Sequence, residues 1–328
     1  MKPELRGLHH DHIDGSRAML GVIGELYRLS GKPFRFSSEE EWKEYFGNPV
    51  ENIVAKFDTV TSVLQSAETL ELAGYAYGRH RAAEGFCYVE AKFAPQYFTR
   101  GGLTMKAATA AIFRGLKRAQ SETGTVLLPV ICIGREATPD VGVEIARIAL
   151  DYDGEMALDM VCDEAGHPPE KHLPAYQTTF GSRVKRDCHA GEWVSREPAV
   201  TYRARLAKNV RTALFDLRCD GIGHAIPLAD EPELTSFIVA NGIRVSGCPL
   251  SNKFCGNIQD VRELRIPELL DRGVIYTINP DDDLFMPTAD EVAAACDDAY
   301  GFTPEQRRRL EENVFLGAFH RDAEMRRC

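Results

Sequence analysis

The 328-residue chain lacks any apolar run near the roughly 20 residues of a membrane-spanning helix, and its opening "MKPELRG" has no signal-peptide apolar region. These absences argue against a membrane protein and lead us to expect a cytoplasmic one. Positive charge is in deficit, with 39 Lys and Arg against 49 Asp and Glu and a formal net charge of -10. No net positive field would collect nucleic acid or anionic lipid, so a small-molecule partner is expected. The nine cysteines include no C-x-x-C pair, which suits reduced thiols better than a disulfide or zinc-ribbon framework. There is no Gly/Ser linker, low-complexity tract or short repeat, so residues 1–328 are expected to form a single domain. The oligomeric state is not legible.

What is present is an ordinary globular composition, 44% hydrophobic and 27% charged, enough to bury a large core. Strand-like apolar runs recur at "ELRGLHH", 86–93, 125–133, 155–163, 183–190, 221–225, 242–248 and 273–279. Helix-like stretches lie between them at 66–85, 105–122, 139–153, 203–218, 229–241 and 260–272. Alternation of this kind predicts βαβ units, and eight strands predict a closed (β/α)8 TIM-type barrel. A doubly wound open sheet is the competing fold, but the first strand is followed by no G-x-G-x-x-G or G-x-x-x-x-G-K loop. The roughly 75 residues between strands one and two exceed the dozen or more needed for one crossover. They predict extra helices after strand one, with residues 30–65 either covering the barrel mouth or packing outside it.

Barrel active sites collect where strands end, and the unusual polar residues fall there. "LHHDHIDGS" at 8–16 places His10 and His12 two apart on an extended strand, on one side, with His9 facing away. H-x-H alone is a weak signal that ordinary turn histidines also satisfy. His189 and Asp281, near the ends of strands five and eight, add a third imidazole and a carboxylate, a donor set suited to Zn²⁺ or another first-row metal. Glu192, three residues beyond His189, would lie close enough to move protons without binding the metal. Strand four ends "MVCDEAGHP" without the lysine common in dinuclear hydrolytic barrels, so one metal per chain is expected.

Taken together and in order, H-x-H-x-D-G from His10, "YVEAKFAP" at 88–95, "DEAG" at 163–166, "HAGE" at 189–192, "GIGHA" at 221–225, "CPLSN" at 248–252 and "NPDD" at 279–282 resemble the adenosine deaminase family of the amidohydrolase superfamily. The resemblance spans essentially the whole chain. It implies a single catalytic Zn²⁺ on His10, His12, His189 and Asp281, which would lower the pKa of a bound water to about 7. It further implies that His224 orients or deprotonates this water, that Asp281 accepts one of its hydrogen bonds, and that protonated Glu192 donates to purine N1. Gly166 would donate its N–H to N3, Asp282 would meet N7, and Asp14 would receive a ribose hydroxyl. Relatives acting on free adenine typically carry Glu at that last position, so Asp14 leans toward a nucleoside.

The implied reaction is hydrolytic deamination of adenosine or 2'-deoxyadenosine to the inosine form with release of ammonia. The alternative is the same chemistry on adenine or a 5'-modified adenosine. A metal-dependent phosphoesterase and a non-catalytic binding protein are remote alternatives. Several positions depart from the family: Pro280 beside Asp281, Ala225 where glycine is typical, Lys92 where arginine is typical, and His167 after Gly166. Ala225 and His167 are expected near the substrate. Gly15 is expected to permit a tight turn, and Asp283 is expected to cap a helix beginning near Leu284.

Overall fold

The computed structural model describes residues 6–47, 53–192 and 199–320. Nine short strands run in parallel wherever they pair among these residues. They are β1 (Arg6–His12), β2 (Phe86–Phe93), β3 (Val126–Gly134), β4 (Ala157–Val161), β5 (Lys185–Arg186), β6 (His189–Ala190), β7 (Gly221–His224), β8 (Arg244–Gly247) and β9 (Ile275–Ile278). Pairing proceeds in chain order from β1 to β5 and from β6 to β9. β5 and β6 are halves of one passage, the predicted fifth strand. The ladder breaks between them because the Asp159 side chain, rather than a β4 carbonyl, accepts from the His189 N–H at 3.1 Å.

The ring closes between the last and first strands. Asp11 bridges Asp281 in parallel, and Asn279 Oδ1 accepts from the N–H groups of His9 at 2.8 Å and His10 at 3.2 Å. A side-chain amide thus stands in for ladder carbonyls at the seam. The result is the expected (β/α)8 barrel. β3 is buried at all nine positions, as expected for parallel strands covered on both faces.

Four helices follow β1: α1 (Ile23–Ser30), α2 (Glu39–Gly47), α3 (Ile53–Val63) and α4 (Ala67–Ala83), the last opened by a Ser66/Thr69 capping box. The outer layer continues with α5 (Met105–Thr123), α6 (Pro139–Asp151), α7 (Leu173–Thr178), α8 (Ala199–Phe215), α9 (Pro232–Asn241), α10 (Pro249–Phe254), α11 (Ile266–Asp271), α12 (Ala289–Tyr300) and α13 (Pro304–Leu316). None of the described helices is long and apolar enough to cross a membrane. Two predicted helices are shorter than their patterns. The 229–241 stretch starts its α-helix only at Pro232, after a 3-10 turn over Ile226–Asp230. The 260–272 stretch breaks at Arg265, which takes a left-handed φ of 48° just before Ile266 and Pro267. In both, proline is tolerated in a new first turn but not in a helix interior.

The long insertion reaches the barrel mouth. Phe57 of α3 and Phe46 of α2 pack on Phe285, with ring centroids 4.7 and 5.9 Å away, and Phe285 follows the Asp281–Asp283 loop. The helix-cap reading of Asp283 is overturned. The next helix starts at Ala289 and is capped by Thr288. Buried Asp283 instead accepts from the Arg17 N–H at 2.6 Å and from Arg81 Nη1 at 2.8 Å. Arg81 also forks onto Asp11 at 2.6 and 2.7 Å. A desolvated guanidinium paired with Asp11, Asp283 and, at 2.7 Å, Glu84 ties α4, β1 and the loop after β9 together, and breaking one buried partner would strand the others in the core.

Candidate active site

Alternation along β1 puts His10 and His12 on the inner side of the barrel end. The intervening Asp11 faces Arg81, and His9 faces outward, its Nε2 2.7 Å from the Val314 carbonyl and its ring edge-on to Tyr88. On the inner side, His10 Nε2 and His12 Nε2 lie 3.3 and 3.4 Å from Asp281 Oδ1, and His12 Nε2 lies 3.3 Å from His189 Nε2. All four donor atoms fall within 4.8 Å of one another. Two ligands each about 2.05 Å from a tetrahedral centre sit about 3.3 Å apart, so these spacings fit a first-row cation. Facing imidazole nitrogens at this distance cannot both carry protons, and His10 Nε2 is buried without an aligned hydrogen-bond partner among the described residues. A cation satisfies both conditions at once.

Neighbours fix the orientation of these groups. Asp159 Oδ2 lies 3.0 Å from His189 Nδ1 and accepts from Lys92 Nζ at 2.6 Å. Ser246 Oγ is 3.2 Å from His10 Nδ1, and Ser251 Oγ donates to Asp281 Oδ2 at 2.7 Å. Carboxylates and hydroxyls behind imidazoles in this way set which nitrogen points into a metal site. Lys92 also contacts Asp187 at 3.0 Å, so the lysine found in place of arginine serves a buried charge pair beneath His189. Burial lowers His189 to about 4. For His12, burial opposes protonation, yet the Asp282 and Asp281 carboxylates raise it to about 9.

At the end of β7, His224 adopts a left-handed φ of 63°, as do Ala225 at 51° and Asp281 at 73°. Side-chain-bearing residues occupy this region only where their surroundings enforce it. Ala225 therefore adopts the backbone conformation that explains the glycine usual there. His224 Nδ1 lies 2.8 Å from Asn252 Oδ1. With Asn252 accepting from Nδ1–H, the neutral tautomer carries its lone pair on Nε2, which lies 3.6 Å from Glu192 Oε1 and 3.9 Å from Asp281 Oδ2. Burial pushes the Glu192 carboxyl up to about 7; nearby His224 opposes this, while Asp281 and Glu164 add to it. An acid half-protonated near neutrality is suited to proton transfer.

Glu164 was legible only as part of "DEAG". One of its oxygens accepts from the Gly191 N–H and the other from the Glu192 N–H, each at 2.8 Å, while Asn209 Nδ2 donates to the first at 2.9 Å. The loop after β4 thus holds the backbone that presents Glu192. No signal in the sequence marked Glu164, Asp159, Asn252 or Arg81 for these roles.

The remaining candidates sit around this centre at different removes. Asp14 is buried just past β1, and burial raises its pKa while His12 opposes the rise. Asp282 Oδ1 is buried without a hydrogen-bond partner among the described residues. Burial holds its pKa well above the ordinary value; His12 opposes this, and Asp281, Asp14 and Asp11 reinforce it. Gly15 touches the same residue: a Cβ there would lie 1.8 Å from Asp282 Oδ1, so close approach, beyond the turn alone, demands glycine. Gly166 is exposed, and its N–H donates to Asp163 Oδ1 at 2.9 Å. His167 Nδ1 lies 3.3 Å from Lys171 Nζ.

Comparison with known proteins agrees with this geometry. The family model described as adenosine deaminase matches residues 6–328. An adenosine deaminase of Enterococcus faecalis is 26% identical over 320 residues, covering 94% of this chain and 90% of the relative. An adenine deaminase of Caulobacter vibrioides is 29% identical over 322 residues, covering 96% and 89%. Among solved structures, an amidohydrolase from Burkholderia ambifaria with bound Zn superimposes with a TM-score of 0.82 at 22% identity, covering 98% of this chain and 88% of that one. With a barrel that gathers histidines and carboxylates at its strand ends and a family match through its described length, the chain belongs to the adenosine deaminase family and is a hydrolytic deaminase.

Proposed function

We propose that the protein deaminates adenosine and 2'-deoxyadenosine to the inosine forms, with one zinc ion held by His10, His12, His189 and Asp281. The observation that carries this reading is the convergence of those four donors within 4.8 Å beside the Glu192–His224 pair. A zinc ion held there would supply a Lewis acid that makes water acidic near neutral pH. The Zn-bound amidohydrolase of the same fold supports that choice of metal.

The chain's own groups divide the remaining work. His224 Nε2, the ring nitrogen left facing the site by the Nδ1 contact with Asn252, would take a proton from the attacking water. Asp281 accepts that water's second hydrogen bond. Glu192, raised to about 7, donates its proton to purine N1, so that negative charge does not build on the ring as C6 becomes tetrahedral. A proton relayed to the exocyclic amine then lets ammonia leave. Asp282, whose carboxyl burial pushes well above its ordinary pKa, would donate to N7 in its protonated form. Gly166 would give its N–H to N3, which means exchanging its internal bond to Asp163 for the ligand.

Asp14 supports a nucleoside through the family resemblance, since relatives acting on free adenine typically carry Glu at that position. The alternative, adenine or a 5'-modified adenosine, draws on the adenine deaminase among the relatives and on Pro280, which fixes φ beside Asp281. Initial rates across adenosine, 2'-deoxyadenosine, adenine and a 5'-modified adenosine distinguish them. The nucleoside reading fails if adenosine is untouched while another aminopurine turns over.

A further inference from the structure

Asp281 presents its two carboxylate oxygens to different neighbours. Oδ1 faces His10 and His12 at 3.3 and 3.4 Å. Oδ2 accepts from Ser251 at 2.7 Å and faces His224 Nε2 at 3.9 Å. Near Asp281 and His224 lies Cys248, a fully buried thiol that the proposed chemistry does not use. Donor atoms of His10, His224, Cys248 and Asp281 all fall within 4.8 Å of one another, and all four residues are buried. His224 is 1% exposed, and its Nε2 has no hydrogen-bond partner among the described residues. Since Asn252 engages Nδ1, Nε2 is the nitrogen left to meet an ion shared with Asp281 and Cys248.

A thiolate, an imidazole and a carboxylate oxygen form a softer donor set than the three histidines and carboxylate on the other side, and thiolate donors favour zinc and its softer congeners. We propose that His224, Cys248 and Asp281 Oδ2 form a second, inhibitory site for a thiophilic divalent cation such as cadmium or excess zinc, with Asp281 bridging it to the first metal. This rests on the mononuclear reading above. Occupation removes the His224 lone pair from the water and draws Oδ2 away from Ser251. The Cys248 thiol gives its proton to solvent as the metal–sulfur bond forms, and no oxidant or reductant is involved.

The test adds cadmium to zinc-loaded protein carrying Cys255→Ser, which removes the cysteine exposed among the described residues, and Cys328→Ser, which removes the C-terminal one. Bound zinc and cadmium, the ultraviolet thiolate-to-cadmium band and deaminase rate are followed on the same samples. The expected result is one zinc retained, one cadmium taken up, a thiolate band, and activity falling in step with cadmium bound. Adding Cys248→Ser should abolish the band and weaken cadmium uptake and inhibition by about tenfold or more, each variant being read against its own cadmium-free rate. The proposal is overturned if no second ion binds, if the band and inhibition survive Cys248→Ser, or if cadmium binds while the rate holds. A protein that binds no zinc and releases no ammonia before cadmium is added overturns the mononuclear reading instead.

Discussion

Glu164 grips the backbone of Glu192: its two carboxylate oxygens accept the N–H groups of Gly191 and Glu192, both at 2.8 Å. Its charge also helps raise the Glu192 carboxyl to about 7. Glu164→Gln should therefore have two separable effects. One hydrogen bond to a charged acceptor is lost, worth about 1.5–3 kcal/mol, so turnover falls by about tenfold or more. The basic limb of the pH–rate profile moves to lower pH, because removing a neighbouring negative charge lowers the Glu192 pKa. A purely structural Glu164 would lower the rate without moving the limb.

Glu192 acts in its protonated form, so kcat/KM, which reports the ligand-free enzyme, should fall as pH rises through about 7. Glu192→Gln should lose about 10²–10⁴ in kcat while retaining metal. His189→Ala, in contrast, should lose both metal and activity. Metal analysis beside the rates checks both. Loss of all metal in the Glu192 variant would make that residue a ligand instead of a proton donor.

Gly15→Ala tests the contact with Asp282. The new Cβ would fall 1.8 Å from Asp282 Oδ1, so the Asp282 side chain must move aside. Metal content should hold, because His10, His12, His189 and Asp281 keep their side chains. The value of kcat/KM should fall by about 10²-fold, the scale associated with misplacing a binding group by an ångström. An unchanged kcat/KM would remove Asp282 from the substrate's surroundings.

Much of this was legible before any coordinates. The eight strand passages follow from short apolar runs bounded by turns, because parallel barrel strands are buried on both faces. The metal cluster was readable because H-x-H fixes two side chains on one face and the other donors sit at strand ends. Charge pairs were not readable. Arg81 and Asp283 are 202 residues apart, and nothing local distinguishes an aspartate that anchors a buried guanidinium from one that caps a helix. Lys92 presented the same difficulty: its partners Asp159 and Asp187 lie on other strands, so its meaning depends on barrel closure. Helix interruptions at Pro232 and Pro267 were written in the sequence, but periodic apolar flanks masked them.

The most direct test of the central claim is ammonia release measured across a panel of purines and nucleosides, with metal content determined on the same preparation. The account predicts one zinc per chain and turnover of adenosine and 2'-deoxyadenosine, abolished by chelation and restored by zinc. Ammonia release that persists at full rate in metal-free protein, or zinc-loaded protein inert toward every 6-aminopurine, would contradict it.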